Sequence, residues 1–214
     1  MAIGSRARSG RSKAEQARAT RRRVIEAATR LFVRDGFLST TMAAIAAEAG
    51  VAVQTLYLAF GNKTAILSAA FDVALAGDDE PIPVPRRDWM REARENPDGV
   101  AGLATFLAGS AAVIERVSPL YGVIRAAAAD PEVAELLTRN KRERHDAFSG
   151  VADSLARRTG FNPGLTPADA TGVLYAVSSE ESFALLVDEH GWTPRQWADW
   201  VQRTVRPQFF PAAG

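Results

Sequence analysis

The residues best placed to do chemistry lie near the N-terminus, in a run of cations followed by a short pair of helical segments with a mixed outer face. Residues 1–23 carry eight Lys/Arg against the single Glu15, a local charge of +7, in a chain of 214 residues whose formal net charge is only +1. Residues 24–214 are therefore net −6. A basic end on an acidic body suits a protein that meets a polyanion at one end only. Between Thr41 and Lys63, two short helical patterns are joined by a turn containing Gly50 and followed by Val51. Small residues such as Ala46 and Ala49 would let the two helices cross closely. The second helix buries Leu56 and Phe60 at i, i+4 and turns Val53, Gln54, Tyr57 and Leu58 outward, a face that could enter a DNA major groove. The same spacing also suits an ordinary helical hairpin.

Other chemistries find little support. No cysteine occurs, which excludes a disulfide framework, a thiol nucleophile and cysteine-ligated zinc or iron–sulfur sites. The two histidines, His145 and His190, are too far apart for a His-Glu-x-x-His metal site, and no Gly-rich phosphate loop, Gly-x-Ser-x-Gly elbow or dinucleotide fingerprint is present. No metal, cofactor or catalytic residue is expected. Glu180 and Glu181 could bind a cationic ligand, but neighbours on a helix diverge by ~100°, so at least one should be solvated. The run 139–144 reads as a charged helix surface with His145 beside it. The longest uncharged stretch, residues 99–114, falls short of the ~20 residues needed to span a bilayer. A soluble, cytoplasmic protein is expected.

The elements that would carry these residues are helical throughout. Val24, Ala27, Ala28, Leu31 and Phe32 form one stripe ending before Gly36, a good residue to end a helix. Thr41 is a candidate N-cap, with Met42, Ile45, Ala46 and Ala49 on one face beyond it. Further helices are expected over about 52–60 and 62–76, then a Pro- and Asp-rich loop at 77–85. Beyond the loop, Ser118-Pro119, Asp130-Pro131, Thr166-Pro167 and Thr193-Pro194 each place a capping side chain before a proline, the signature of a helix start. Thr193 with Gln196 makes a capping box, with Trp192 and Trp197 as its hydrophobic staple. The helix from Thr166 to about Glu189 and the one after it are apolar on more than one side, which calls for extra packing, from a larger core or a second subunit.

The run from Val24 resembles a known family. The blocks AATRLFVRDGF, TMAAIAAEAGV and TLYLAFGNK are similar, in order and spacing, to the N-terminal DNA-binding domain of the TetR family of transcriptional regulators. The resemblance implies an all-α protein: a basic flexible arm over 1–22, a three-helix helix-turn-helix domain over 23–67, and a larger helical ligand-binding and dimerisation domain over 68–210. It implies phosphate contacts from Thr41, Tyr57 and Lys63, and base contacts from Val53, Gln54, Thr55 and Leu58; the basic run itself, with Arg22 where the first helix should approach the backbone, could add phosphate contacts or be only a solvated tail. Gln can bind adenine N6 and N7, whereas Val53 and Leu58 can only touch thymine methyls. Ala52-Val53 and Leu58-Ala59 stand where many members have hydrogen-bonding side chains, so modest direct readout and dependence on phosphate contacts and DNA shape are expected.

For the body, the resemblance implies a small-molecule effector site, with Phe106, Leu107, Tyr121, Ile124, Phe148 and Tyr175 as candidate lining. It also implies a homodimer formed by the last two helices, with Leu174, Val177, Leu185, Trp197, Val201 and Val205 at the interface. The expected function is a regulator bound to a double-stranded, near-palindromic operator, a repressor released by its effector. The alternatives are an activator or a regulator without a ligand, and a helical small-molecule-binding protein or enzyme with a vestigial helix-turn-helix.

Overall fold

A computed structural model gives the fold; it describes residues 4–77 and 84–212, with side chains from residue 13 onward. The protein is all-α, with an N-terminal helix-turn-helix domain and a larger helical domain. The N-terminal part comprises α1 (Gly4–Ser39), α2 (Met42–Ala49), α3 (Val53–Phe60) and α4 (Lys63–Ala76). A short 3₁₀ turn (Val84–Arg86) leads to α5 (Asp88–Glu95), α6 (Gly99–Ala126), α7 (Pro131–Leu155), α8 (Pro167–Val177), the single turn α9 (Glu180–Phe183) and α10 (Pro194–Phe209).

α1 begins far earlier than its apolar stripe. Residues 4–22, expected as an arm, are helical and continuous with the stripe that starts at Val24. Ala, Arg, Lys, Glu and Gln dominate this stretch, all good helix formers, so nothing stops a helix nucleated by the buried turns from growing backwards into solvent. At the other end, Gly36 at φ 79° kinks it.

Thr41, Asp130, Thr166 and Thr193 cap their helices as their sequences require, with reciprocal capping boxes at Thr166/Asp169 and Thr193/Gln196. Ser118-Pro119 does not start a helix. Pro119 lies inside α6, because Val117, Leu120, Tyr121 and Ile124 continue one buried stripe through it. Burial of that stripe outweighs the hydrogen bond a proline forfeits. α6 is the core helix, packed by α1, α4, α5, α7, α9 and α10. Its length and composition would also allow a membrane span, but here its apolar side chains face other helices.

The expected helix from Thr166 to Glu189 is interrupted. Ser178 and Ser179 leave helical geometry, and a π-helical turn (Ala184–Glu189) follows α9. Serines take over the backbone groups freed at the break: Ser179 Oγ accepts from Ser182 N (3.0 Å), and Ser182 Oγ donates to Val177 O (2.7 Å). Trp197 Nε1 then donates to Ser182 Oγ (3.0 Å), fixing the break to α10. Trp197 packs edge-on against Phe183, and Trp192 meets Trp200.

Two apolar cores fill the molecule. The first joins α1–α4 to the C-terminal half of α6 and the start of α7, and the second joins α5, the N-terminal half of α6, the end of α7, and α8–α10. The expected border at 67/68 therefore falls inside α4, where Ile66, Leu67, Ala69, Ala70 and Phe71 all bury in the first core. The N-terminal domain and the larger domain share apolar packing through α4 and α6.

Candidate nucleic-acid interface and the buried charges behind it

The turn between α2 and α3 is dictated by one glycine. Gly50 adopts φ 66°, ψ 42°, a left-handed conformation that costs glycine least. Its N–H donates to Ala47 O (3.2 Å) and that of Val51 to Ala46 O (3.0 Å), a Schellman closure. The chain thereby turns α3 by 107° relative to α2, within the range of helix-turn-helix units. Leu56, fully buried, anchors α3 to the core below.

The opposite face of α3 stands in solvent. Val53, Gln54, Tyr57 and Leu58 are all exposed, with Leu58 at 82%. No side chain caps α3 at Ala52, so the first-turn N–H groups are not used by a cap. Thr55 is exposed but placed on another flank, where it lines a groove of about 460 Å³ with Gln16, Thr20, Arg21, Ala59 and Phe60. Arg21 lies over the Phe60 ring at 4.7 Å, which sets a cation beside α3. Arg18, Arg22 and Arg23 are exposed along α1, with Arg22 3.9 Å from Glu26. Thr41 is exposed at the start of α2, its Oγ1 accepting from Ala44 N (3.0 Å).

Lys63, expected at a phosphate, also has partners within the chain. Its Nζ donates to Phe37 O (2.6 Å) and Thr40 O (2.8 Å) and sits 4.2 Å from the centre of the Phe37 ring. Burial lowers its pKa, with Asp130 opposing. At most one of its three N–H bonds remains for a phosphate. The ammonium is a clamp across the turn between α1 and α2. Asn62 beside it caps α4 by accepting from Ala65 N (2.8 Å) and donates to Glu132 Oε2 of α7 (3.1 Å).

Residues 24–70, which hold α2, α3 and Lys63 but not the arginines at 18–23, match the family model "Bacterial regulatory proteins, tetR family". Over these residues, about a fifth of the chain, it is similar to the N-terminal domain of that family. The HTH-type transcriptional regulator TtgR of Pseudomonas putida is 43% identical over 58 residues, which span 27% of this chain and 28% of TtgR. The match to TtgR thus spans little more than a quarter of that relative's length. Beyond the domain the likeness is one of fold. NalD, the secondary repressor of the MexAB-OprM multidrug efflux pump in Pseudomonas aeruginosa, superposes with a TM-score of 0.70 at 20% identity, covering 93% of this chain and all of that one. FadR from Bacillus subtilis, solved with stearoyl-CoA, gives 0.69 at 16% identity over 87% and 98% of the two chains.

Behind the N-terminal domain, the six candidate effector residues do not form one cluster. Phe106, Leu107 and Phe148 belong to the second core, with Phe106 and Phe148 edge to face at 5.2 Å, whereas Tyr121 and Ile124 belong to the first. What brings Tyr121 and Tyr175 together is Arg144. This guanidinium, on the buried stripe of α7, pairs with Glu180 and Glu181 and lies over the Tyr175 ring at 4.5 Å. Tyr121 donates to Glu181 Oε1 (2.6 Å), and Lys141 approaches the same oxygen at 3.3 Å.

One expectation for this region is met in part and the other corrected. Glu180 is buried and Glu181 only half-buried, yet both carboxylates reach the Arg144 guanidinium. Arg144 is interior, not part of a charged surface. Burial alone would raise the Glu181 pKa, but its hydrogen bonds from Arg144 and Tyr121 outweigh that and hold it at about 2. Burial and the bond to Glu181 push the Tyr121 phenol up. Arg144 could have been found by spacing, since Leu136, Asn140, Arg144 and Phe148 recur every four residues. A single charge on an apolar stripe asks for a buried partner.

The candidate dimer residues divide. Leu174, Trp197, Val201 and Val205 are buried within their own chain, so they offer no surface to a partner. α10 lays this stripe onto α6 and α8, which explains its apolar width without a second subunit. Val177 is half-buried, and Leu185 is 56% exposed on the π-helical turn.

Proposed function

We propose that this protein is a sequence-specific DNA-binding transcriptional regulator, a repressor that a small molecule releases from a near-palindromic operator. The observation that carries this reading is the exposed face of α3, held out by the Gly50 turn and the Leu56 anchor and flanked by the arginines of α1. The tetR-family match and the fold shared with the repressor NalD support it. Gln54 is the polar base reader, suited to adenine. Thr41, Tyr57 and Arg22 contact phosphates, and such contacts position the helix without specifying sequence.

Two such faces must be paired to read two half-sites. The pairing surface is the outward side of α8 and the turn after it, with Gly172, Ala176, Val177 and Leu185. The effector binds in the body. Its coupling to DNA runs through α6, whose Arg116 guanidinium donates to Ala74 O (3.1 Å) and Leu75 O (3.4 Å) at the end of α4. A ligand that favours another placement of α6 shifts the population away from the DNA-competent spacing.

Selection of bound fragments from random duplex DNA at two salt concentrations tests the reading. Recovery of a near-palindrome, with affinity falling steeply as salt rises, is the expected result. Sequence-indifferent binding at both concentrations would overturn it.

A further inference from the structure

The part of α1 that precedes its buried stripe runs beside α3, and the two helices leave a groove of about 460 Å³ between them. That volume is within the range of small-molecule sites. Ala17, Arg21 and Val24 follow one another on α1 at four- and three-residue steps, so they form one wall, and Leu56, Ala59 and Phe60 of α3 form the other. Val24 and Leu56 are buried and make the floor. Ala17 and Ala59 are exposed and small, which leaves the space above that floor open. Water in such a space finds few polar partners, and an apolar occupant is favoured over it.

The charge of the groove is one-sided. Arg18 and Arg21 belong to its lining and no Asp or Glu does, although Asp72 of α4 stands within the field of Arg21. The Arg21 guanidinium lies over the Phe60 ring at 4.7 Å. A guanidinium stacked on a ring keeps its N–H donors in its own plane, around its edge. There they match the two oxygens of a carboxylate. A neutral occupant would leave this fork unused, and a cation would be repelled by both arginines. We propose that the groove between α1 and α3 is a binding site for a small amphipathic carboxylate, its apolar body on Val24, Leu56 and Ala59 and its carboxylate on Arg21. The site lies in the N-terminal domain, and its existence requires neither the effector of the body nor the pairing surface. Occupancy acts directly on the nucleic-acid interface. Arg21 is one of the arginines that flank the exposed face of α3, and its fork cannot hold a carboxylate and a phosphate at once. Ligand and duplex therefore compete, a consequence that rests on the DNA-reading proposal.

Titration of the isotope-labelled full chain with 2-naphthoate, followed by two-dimensional NMR without DNA, tests the site itself. The amide signals of residues 17–24 and 55–60 should shift and saturate, and the neutral counterpart 2-naphthamide should bind there about tenfold more weakly, the worth of one charge-assisted pair. In Arg21→Gln the two compounds should bind alike. Ala17→Trp, which fills the groove from an exposed position of α1, should abolish these shifts. Absence of the shifts in the wild type, their persistence in Ala17→Trp, or a preference for the carboxylate that survives in Arg21→Gln overturns the site. With a duplex recovered by the selection above, 2-naphthoate should weaken binding by the wild type and not by Ala17→Trp, and equal weakening of both overturns the competition. If no sequence-specific duplex is recovered, the DNA-reading proposal fails, and the titration alone decides whether the carboxylate site exists.

Discussion

The two ends of the molecule break the usual partition of side chains in opposite directions. In the N-terminal domain, apolar side chains of α3 stand in water, while in the body Arg144, Glu180 and part of Glu181 are withdrawn from it. Exposure of Leu58 costs the folded chain little, because an unfolded chain exposes it too. Burial of Arg144 is different: a desolvated charge is tolerated only with its partners in place. The exposed apolar face therefore belongs to an event outside the chain, and the buried ion pair to the integrity of the chain itself.

The sharpest way to break this contrast is to remove one member of the buried cluster. Arg144→Met leaves Glu180 without its cation and Glu181 with only Tyr121 and Lys141, and should cost about 3–5 kcal/mol of stability by urea unfolding, the usual penalty for orphaning a buried charge. Adding Glu180→Gln and Glu181→Gln to that variant should recover much of the loss. If the triple variant is as unstable as the single one, the ion pair is not what holds α7 to α9. The corresponding removal at the other end, Leu58→Ala, should leave the unfolding midpoint unchanged.

A second, smaller effect lies at Lys63, where the contrast is blurred because a residue on the reading side has an internal role. Lys63→Met removes two charge-assisted hydrogen bonds to the carbonyls of Phe37 and Thr40. A stability loss of about 1.5–3 kcal/mol is expected, with weaker binding to all DNA sequences alike. Should the variant keep full stability and lose only DNA affinity, Lys63 is a phosphate ligand after all and the clamp is incidental.

These two sites also show where the sequence was legible. The helix-turn-helix is built from local rules: Thr41 as a cap, Gly50 as a left-handed turn, and Leu56 as an anchor four residues before Phe60. Each rule acts within one or two turns, so the exposed face of α3 could be placed residue by residue. The body obeys longer-range terms. Pro119 stays within α6 because residues on both sides of it share one buried stripe. The break at Ser178–Ser179 is held by Ser182, which replaces the lost backbone bonds and is itself fixed by Trp197, 15 residues further on. Arg144 meets Glu181 across 37 residues, a pairing that no local period contains. The apolar breadth of α10 was readable, but the same breadth serves a dimer or a core, and α6 decided between them.

Gln54 gives a third test, confined to the outward-facing end. Gln54→Ala should relax the preference at one base pair per half-site by about 1–3 kcal/mol, measured across a randomised duplex library, while the affinity for the remaining positions stays the same. Unchanged preference everywhere would leave the face with apolar readers alone.

The smallest effect is one of pH, and it separates the two ends by sign. Glu181 is held at about 2 in the folded chain against an ordinary value of 4.5. A carboxylate whose folded pKa is depressed stabilises the fold above its unfolded pKa and loses that contribution as pH falls through the folded value. Glu181 should therefore contribute fully above about pH 4.5 and progressively less down to about pH 2. Asp72 of α4, whose pKa burial raises against the opposing charge of Arg139, works the other way, since acid relieves its desolvation. The difference in unfolding midpoint between the wild type and Glu181→Gln isolates the first contribution. It should be constant near neutral pH and shrink on acidification through that window; a constant difference down to about pH 2 would mean that Glu181 owes nothing to Arg144 and Tyr121. Because Glu181 is partly exposed, solvent screening keeps this effect below that of losing Arg144. No such dependence should appear in the exposure of Val53 or Leu58, which carry no charge to titrate.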